Sequence, residues 1–228
     1  METTVPTYLK KTLKHGLENV RVGDLALPGE LEVPQNPLGI VVFAHGSGSS
    51  RHSPRNQYVA RVMQSYGLGT LLFDLLTEAE ARDRDNAFDI ALLGERIMGA
   101  LAWLAQRPGL ENMPIGLFGA STGAAAALVA AARTPSICAV VSRGGRPDLA
   151  GKYLSNVQAP TLLIVGGEDR EVLALNQAAM RILPLPCPKK LEIVPGATHL
   201  FEEPGTLEIA ASLAGHWFEH HFSKSQAN

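Results

Sequence analysis

The feature that most constrains the fold is an alternation of short apolar runs with longer segments of helical character. Because a short apolar run suits a strand that is covered on both faces, this alternation predicts a mostly parallel sheet flanked by helices, an α/β fold. The predicted strands cover residues 39–44, 70–76, 114–118, 137–142, 161–165 and 190–194. The predicted helices cover residues 56–66, 88–106, 122–133, 172–182 and 207–222. Reactive groups are expected at the carboxyl ends of the strands, where the loops open.

Two further segments refine this architecture. Residues 20–33 alternate in polarity and are broken by Pro28 and Gly29, which predicts an antiparallel hairpin at the sheet edge. The segment between Ser142 and Val157 is short, so we expect no large lid domain and a rather open site. With 228 residues, of which 46% are hydrophobic, residues 1–228 are predicted to form a single domain with a substantial core.

Charge and composition exclude several classes of function. The net charge of −2 argues against a general nucleic-acid surface, which would need a basic excess. Residues 1–14 lack the apolar core of a signal peptide, and no apolar run is long enough to span a bilayer. We therefore expect a soluble, cytoplasmic monomer or homodimer without nucleic-acid or membrane partners, although a trimmed secreted form stays open. Cys138 and Cys187 form neither a disulfide framework nor a metal-type cluster.

The strongest chemical motif lies between a predicted strand and a predicted helix. Residues 119–123 read Gly-Ala-Ser-Thr-Gly and are followed at once by an alanine-rich stretch. This strand–turn–helix context is that of a nucleophile elbow, in which small residues let helix and strand approach closely. The motif makes Ser121 the candidate nucleophile, and the simpler alternative is a glycine-rich turn that happens to contain a serine.

A serine hydroxyl needs a positioned base, and the base needs an acid to orient it. His199 follows the last predicted strand, and Asp169 follows the strand before it. The chain order serine, aspartate, histidine matches the order expected for this fold. Glu168, Asp74 and Asp148 are weaker candidates for the acid.

The loop after the first parallel strand is the candidate oxyanion hole. Residues 45–50 read His-Gly-Ser-Gly-Ser-Ser, and such a loop can turn backbone N–H groups toward a substrate carbonyl oxygen. We predict the amides of Ser47 and Thr122 as the two donors. His45 is expected to organise the loop rather than act as base, and the alternative is a simple turn.

Other residues carry weaker signals. Arg51 and Arg143 follow strands at the reactive end and are candidates to bind a substrate carboxylate, with a solvent-facing position or structural ion pairing as the alternative. Phe201 is close enough to the candidate base to line the pocket, or it packs in the core. His216 and His220 are one helical turn apart, but no third ligand is evident, so we predict no metal site.

Together these motifs resemble the α/β-hydrolase superfamily and, within it, the small dienelactone-hydrolase-like group. The resemblance covers residues 20–222 and rests on the four segments 45–48, 119–123, 166–169 and 196–199. It implies hydrolysis of carboxylic esters or lactones through an acyl-enzyme, with a small-molecule ester as substrate and no cofactor. Dienelactone hydrolases proper use a cysteine nucleophile, whereas this chain has Ser121, so the resemblance is to a serine variant.

Two other functions stay open at this stage. The same three residues can serve acyl transfer or perhydrolysis, in which the acceptor is not water. The chain could also be a non-catalytic binding module on a hydrolase scaffold, although such modules usually lack one member of the catalytic set, and here none is missing.

Overall fold

A computed structural model describes residues 15–226 and contains one eight-stranded sheet. The strands are β1 (Gly16–Val22), β2 (Leu27–Val33), β3 (Ile40–Ala44), β4 (Gly69–Phe73), β5 (Ile115–Ala120), β6 (Ala139–Arg143), β7 (Thr161–Gly166) and β8 (Lys189–Val194). Their order in the sheet is β1-β2-β4-β3-β5-β6-β7-β8. Strands β3 to β8 are parallel, and β1 and β2 add an antiparallel edge, which confirms the predicted fold class.

Helices cover both faces of this sheet. They are α1 (Pro54–Ser65), α2 (Ile90–Leu104), α3 (Thr122–Arg133), α4 (Arg170–Ile182) and α5 (Thr206–Gln226). One apolar cluster joins the sheet to α2, α3 and α4, and a second joins the opposite face to α1 and α5. Because both faces are covered, the central strands can be apolar throughout, as the sequence predicts.

Strand β3 shows how the sequence builds both clusters. All five of its residues are buried, and successive side chains point to opposite faces. Val41 and Phe43 enter the cluster below α1 and α5, while Ile40, Val42 and Ala44 enter the other. On that second face, the buried alanines of α3 let this helix lie close to the sheet directly behind the end of β5.

The predicted edge hairpin exists, but its turn lies earlier than predicted. The chain reverses between β1 and β2, where Ala26 N donates to Gly23 O and both residues have positive φ. Pro28 and Gly29 are inside β2, where Pro28 is opposite Arg21. A proline is tolerated near the start of a strand, so Pro28 does not break this one.

The connections in which a lid domain could be inserted contain only short 3₁₀ segments. Residues Pro147–Asn156 form one such segment and pack against α3 and α4. Glu80–Arg82 and Arg84–Phe88 form two more between β4 and α2, in a stretch for which the sequence predicts no element before the helix at residue 88. Across residues 15–226, none of the helices combines the length and apolar character that crossing a membrane requires.

Candidate active site

Ser121 occupies the tight turn between β5 and α3. Its backbone has φ 52° and ψ −123°, a conformation that costs a serine roughly 1–3 kcal/mol. Two hydrogen bonds hold it there, because Ser121 N donates to Arg143 O at 3.3 Å and Arg146 N donates to Ser121 O at 3.1 Å. The turn therefore presents the hydroxyl at the carboxyl end of the sheet and at the N-terminus of α3, where the helix dipole favours negative charge.

The glycines on either side of Ser121 are required by close backbone approach. A Cβ at Gly119 would lie 2.3 Å from Ala124 Cα, and a Cβ at Gly123 would lie 2.2 Å from Ala44 O. The second contact joins α3 to the strand that leads into the oxyanion loop. The predicted close approach of helix and strand at these two glycines is therefore confirmed.

We expect Gly123→Ala to destabilise the protein by about 3 kcal/mol, or roughly 6–12 °C in Tm, because backbone atoms cannot move aside as a side chain can. Thermal unfolding followed by circular dichroism measures this loss. Gly99 gives the matched control, because it is exposed in α2 and a Cβ there would have no neighbouring atom within 4 Å. Gly99→Ala should leave Tm unchanged or raise it, since alanine favours helix. Equal Tm values for the two variants would contradict the close approach at Gly123.

Ser121, His199 and Asp169 form a continuous hydrogen-bonded line. His199 Nδ1 is 2.6 Å from Asp169 Oδ2, and His199 Nε2 is 3.3 Å from Ser121 Oγ. The carboxylate keeps the proton on Nδ1, so Nε2 has a free lone pair that faces the serine hydroxyl. The distance from His199 Nε2 to Ser121 Oγ is slightly long for a hydrogen bond, as is common in hydrolases without substrate. The geometry therefore suits proton transfer from Ser121 to His199.

The structure also separates Asp169 from the other candidate acids. Asp74 bonds Arg51, and Asp148 accepts two hydrogen bonds from Arg146. Glu168 is exposed, and only its backbone N–H reaches toward the histidine loop, where it donates to Ala197 O at 3.0 Å. Of these carboxylates, Asp169 alone lies against the imidazole.

The candidate oxyanion loop is fastened to its surroundings at three places. Ser47 N donates to Thr122 Oγ1 at 2.8 Å, and Leu75 N donates to His45 Nε2 at 3.1 Å. Burial lowers the pKa of His45, so its ring stays neutral and can accept this bond while Nδ1 donates to Gly46 O. Asp74 makes the third link, because it accepts from both the backbone N–H and the guanidinium of Arg51.

These links bear on the predicted oxyanion donors. The Thr122 amide lies in the first turn of α3, where N–H groups have no intrahelical acceptor. The Ser47 amide already bonds the Thr122 hydroxyl, so it must share or exchange that partner to bind a substrate oxygen. Both donors stay predictions. His45 holds the loop, as expected, whereas the sequence does not identify the Thr122 hydroxyl and Asp74 as loop anchors. An acid directly after a parallel strand is the available signal for Asp74.

The three residues predicted to bind substrate are otherwise engaged. Arg51 forms a salt bridge with Asp74, as the alternative of structural ion pairing predicts. Arg143 is buried and donates to Asn56 Oδ1, and Phe201 is 2% exposed in the cluster below α1 and α5. Their contact with substrate stays a prediction.

A cavity of about 440 Å³ lies beside the oxyanion loop. Residues 46–51 form one wall, and Leu75, Leu76 and Leu93 supply apolar surface. Ala81 and Ala87 from the 3₁₀ segments between β4 and α2 also line it. Ser121 and His199 do not line this cavity, but its lining residue Gly46 lies next to the nucleophile turn, since a Cβ at Gly46 would be 3.0 Å from Ser121 Cβ. The sequence does not single out these 3₁₀ segments as a wall of the site.

This fold, with a serine at the strand–helix turn and a histidine and an aspartate on the following loops, defines an α/β hydrolase. The profile of the dienelactone hydrolase family matches residues 29–220, and the chain belongs to that family.

The chain is similar to known proteins at several levels of sequence identity. A crystal structure of dienelactone hydrolase from Anabaena variabilis is 54% identical, with a TM-score of 0.86 over 91% of this chain and 98% of that one. Est1E from Butyrivibrio proteoclasticus shares the fold at 15% identity, with a TM-score of 0.75 over 91% of this chain and 99% of that one. A Mycobacterium tuberculosis protein named "Putative phosphoribosyl transferase" is 60% identical over 207 residues, which are 90% of this chain and 46% of that protein. The chain therefore spans about half the length of the curated relatives it matches.

Proposed function

We propose that the chain is a serine hydrolase that cleaves carboxylic esters or lactones of small acyl groups through an acyl-enzyme. One observation carries the proposal, namely the line of contacts from Asp169 Oδ2 through His199 to Ser121 Oγ. A carboxylate, an imidazole and a hydroxyl in this arrangement are what nucleophilic attack on an acyl carbon requires.

The reaction follows from the positions of these groups. His199 Nε2 takes the proton of Ser121 as Oγ attacks the carbonyl carbon, and Asp169 stabilises the imidazolium that forms. The amides of Thr122 and Ser47 stabilise the negative oxygen of the tetrahedral intermediate. His199 then gives its proton to the departing alkoxide, which leaves as the alcohol, and the acyl group stays on Ser121. A water molecule, deprotonated by His199, releases the acid and restores the serine.

Size and charge of the neighbouring cavity favour small, uncharged substrates. Its volume of about 440 Å³ lies at the lower end of the range for small-molecule sites. Its charged lining residues are Arg21, Arg51, Asp74 and Glu78, whose charges cancel, and the ring of His45 is neutral. A cavity without net charge does not attract an anion.

Other activities have less support. Phosphoribosyl transfer, which the name of the Mycobacterium tuberculosis relatives suggests, is not proposed, because the matched part is 46% of their length and has the hydrolase fold here. Acyl transfer and perhydrolysis need the same catalytic groups and differ only in the acceptor. A non-catalytic binding role would leave the Ser121–His199–Asp169 line without a purpose.

A panel of p-nitrophenyl esters from acetate to palmitate, with a simple lactone, tests the proposal. We expect kcat/KM to be highest for the short acyl groups and about tenfold or more lower for palmitate, since the cavity is small. Butyrate should be preferred over the charged hemisuccinate. With methanol or peroxide added, free acid should remain the main product. Failure to cleave any of these substrates above background would contradict the proposed activity.

A further inference from the structure

Arg143 is a buried cation that the proposed reaction does not use. The residue is 7% exposed, and it takes part in none of the ion pairs found between residues 15 and 226. Burial, reinforced by nearby Arg55, lowers the pKa of Arg143 to about 10, so the guanidinium is still charged at neutral pH. An unpaired buried charge is costly, and such a residue needs a reason to be there.

The guanidinium lies next to two aromatic rings, those of Phe118 and Phe201, and we call the space that these rings and Asn56 form around it the slot. Its central carbon is 5.9 Å from the ring centroid of Phe118 and 5.9 Å from that of Phe201. Nη2 donates to Asn56 Oδ1 in α1 at 3.3 Å, and Nη1 is buried without a partner. Protein atoms thus surround the head group, which leaves a substrate carboxylate little access to it.

Phe201 links this slot to the candidate base. It lies two residues after His199, and its φ of 56° is unfavourable for a bulky side chain. The ring is almost fully buried, and Phe201 N donates to Thr198 O at 3.2 Å. Because the backbone does not favour this conformation by itself, the packing around the ring must hold it.

The backbone at and beside Arg143 bonds Ser121 and lies close to His199. Arg143 O accepts the hydrogen bond from Ser121 N at 3.3 Å. A Cβ at Gly144 would lie 3.0 Å from His199 O and 3.7 Å from His199 Nδ1. Arg143 therefore lies where the nucleophile turn, the histidine loop and α1 meet, and α1 makes a second link to that loop through the Arg55–Glu202 pair.

We infer that Arg143 is a positioning residue, whose guanidinium fills the slot against Phe201 and so keeps the His199 imidazole between Asp169 and Ser121. Asn56 aims the guanidinium from α1. This role rests on the proposed function, but the geometry it maintains exists without substrate. It also explains why a charged, planar group is used, since guanidinium stacks on aromatic faces and bonds an amide at the same time.

Kinetics of Arg143→Met and Arg143→Lys test the role, with neutral p-nitrophenyl butyrate and its charged hemisuccinate counterpart as substrates. A misplaced base should lower kcat of Arg143→Met about 30-fold to 100-fold for both esters, with KM changed little. Lysine, which has the charge without the planar fork, should restore part of the loss. Arg61→Met, the same change at an exposed position of α1, should behave as wild type.

A readout without substrate separates this inference from the proposed activity. The His199 Nδ1 proton, held by Asp169, should give a low-field proton NMR signal that Asp169→Asn removes. We expect the signal in wild type and Arg143→Lys, and its loss in Arg143→Met, even if no ester is cleaved. If Arg143→Met does not fold, Phe201→Leu should show the same loss. An unchanged signal and kcat would overturn the inference, and so would a rise in KM confined to the charged ester, which would indicate a substrate contact.

Discussion

Replacing Ser121 by alanine is expected to lower kcat for short-chain esters by about 10⁵-fold to 10⁶-fold. The variant keeps the predicted oxyanion amides and the cavity, which by themselves give only a small acceleration over water. Because the alanine has no hydroxyl, His199 has no proton to take and no acyl-enzyme can form. Steady-state release of p-nitrophenolate, with enzyme in large excess over any contaminant, measures the loss.

Ser65→Ala gives the matched control for this variant. Ser65 is exposed and is the last residue of α1, at the opposite end of the sheet from the nucleophile, and its hydroxyl bonds only Val62 O within its own helix. We expect wild-type kinetics from it. A Ser121→Ala protein that folds normally and keeps more than a few per cent of the activity would show that another group attacks the ester.

Asp169→Asn should lower kcat by about 10⁴-fold while leaving the fold intact. The amide has almost the same shape as the carboxylate, but it no longer stabilises the imidazolium and can favour the wrong tautomer of His199. The short contact of 2.6 Å between His199 Nδ1 and Asp169 Oδ2 is the structural basis for so large an effect. KM should change much less than kcat, since Asp169 is not placed to contact the substrate.

Glu168→Gln is the control, because it makes the same chemical change one residue away on an exposed side chain. It should retain wild-type kcat. Equal losses in the two variants would mean that the charge of this loop matters and the Asp169–His199 contact does not, and a loss in Glu168→Gln alone would transfer the role of the acid to Glu168.

The fold and the meeting of Ser121, Asp169 and His199 could be predicted because their signals are local. Each of the three follows a predicted strand, and parallel strands bring their carboxyl ends to one edge of the sheet. Tight packing at Gly119 and Gly123 likewise follows from the spacing of the motif. The predicted position of the hairpin turn is wrong because pairing with β1 and β4 accommodates Pro28 and Gly29 within β2.

The remaining features depend on tertiary approach, which spacing does not show. Arg143 ends a strand at the reactive edge, where the sequence predicts a substrate contact, with a solvent-facing or ion-paired side chain as the alternative, but the structure buries it beside Phe201 from the loop after β8. Asp74 is a candidate acid by its place after a strand, and only the position of the oxyanion loop reveals its contact with Arg51. Ala81 and Ala87 likewise reach the cavity only through the tertiary placement of the two short 3₁₀ segments between β4 and α2.

The central claim is that Ser121 is an activated nucleophile, and covalent labelling tests it most directly. Folded wild-type protein is treated with a fluorophosphonate, digested and analysed by mass spectrometry. One adduct per chain at Ser121 is predicted, with labelling slowed strongly in Asp169→Asn and little changed in Glu168→Gln. No adduct on folded protein, or an adduct at another residue, would contradict the account and favour a binding module on a hydrolase scaffold.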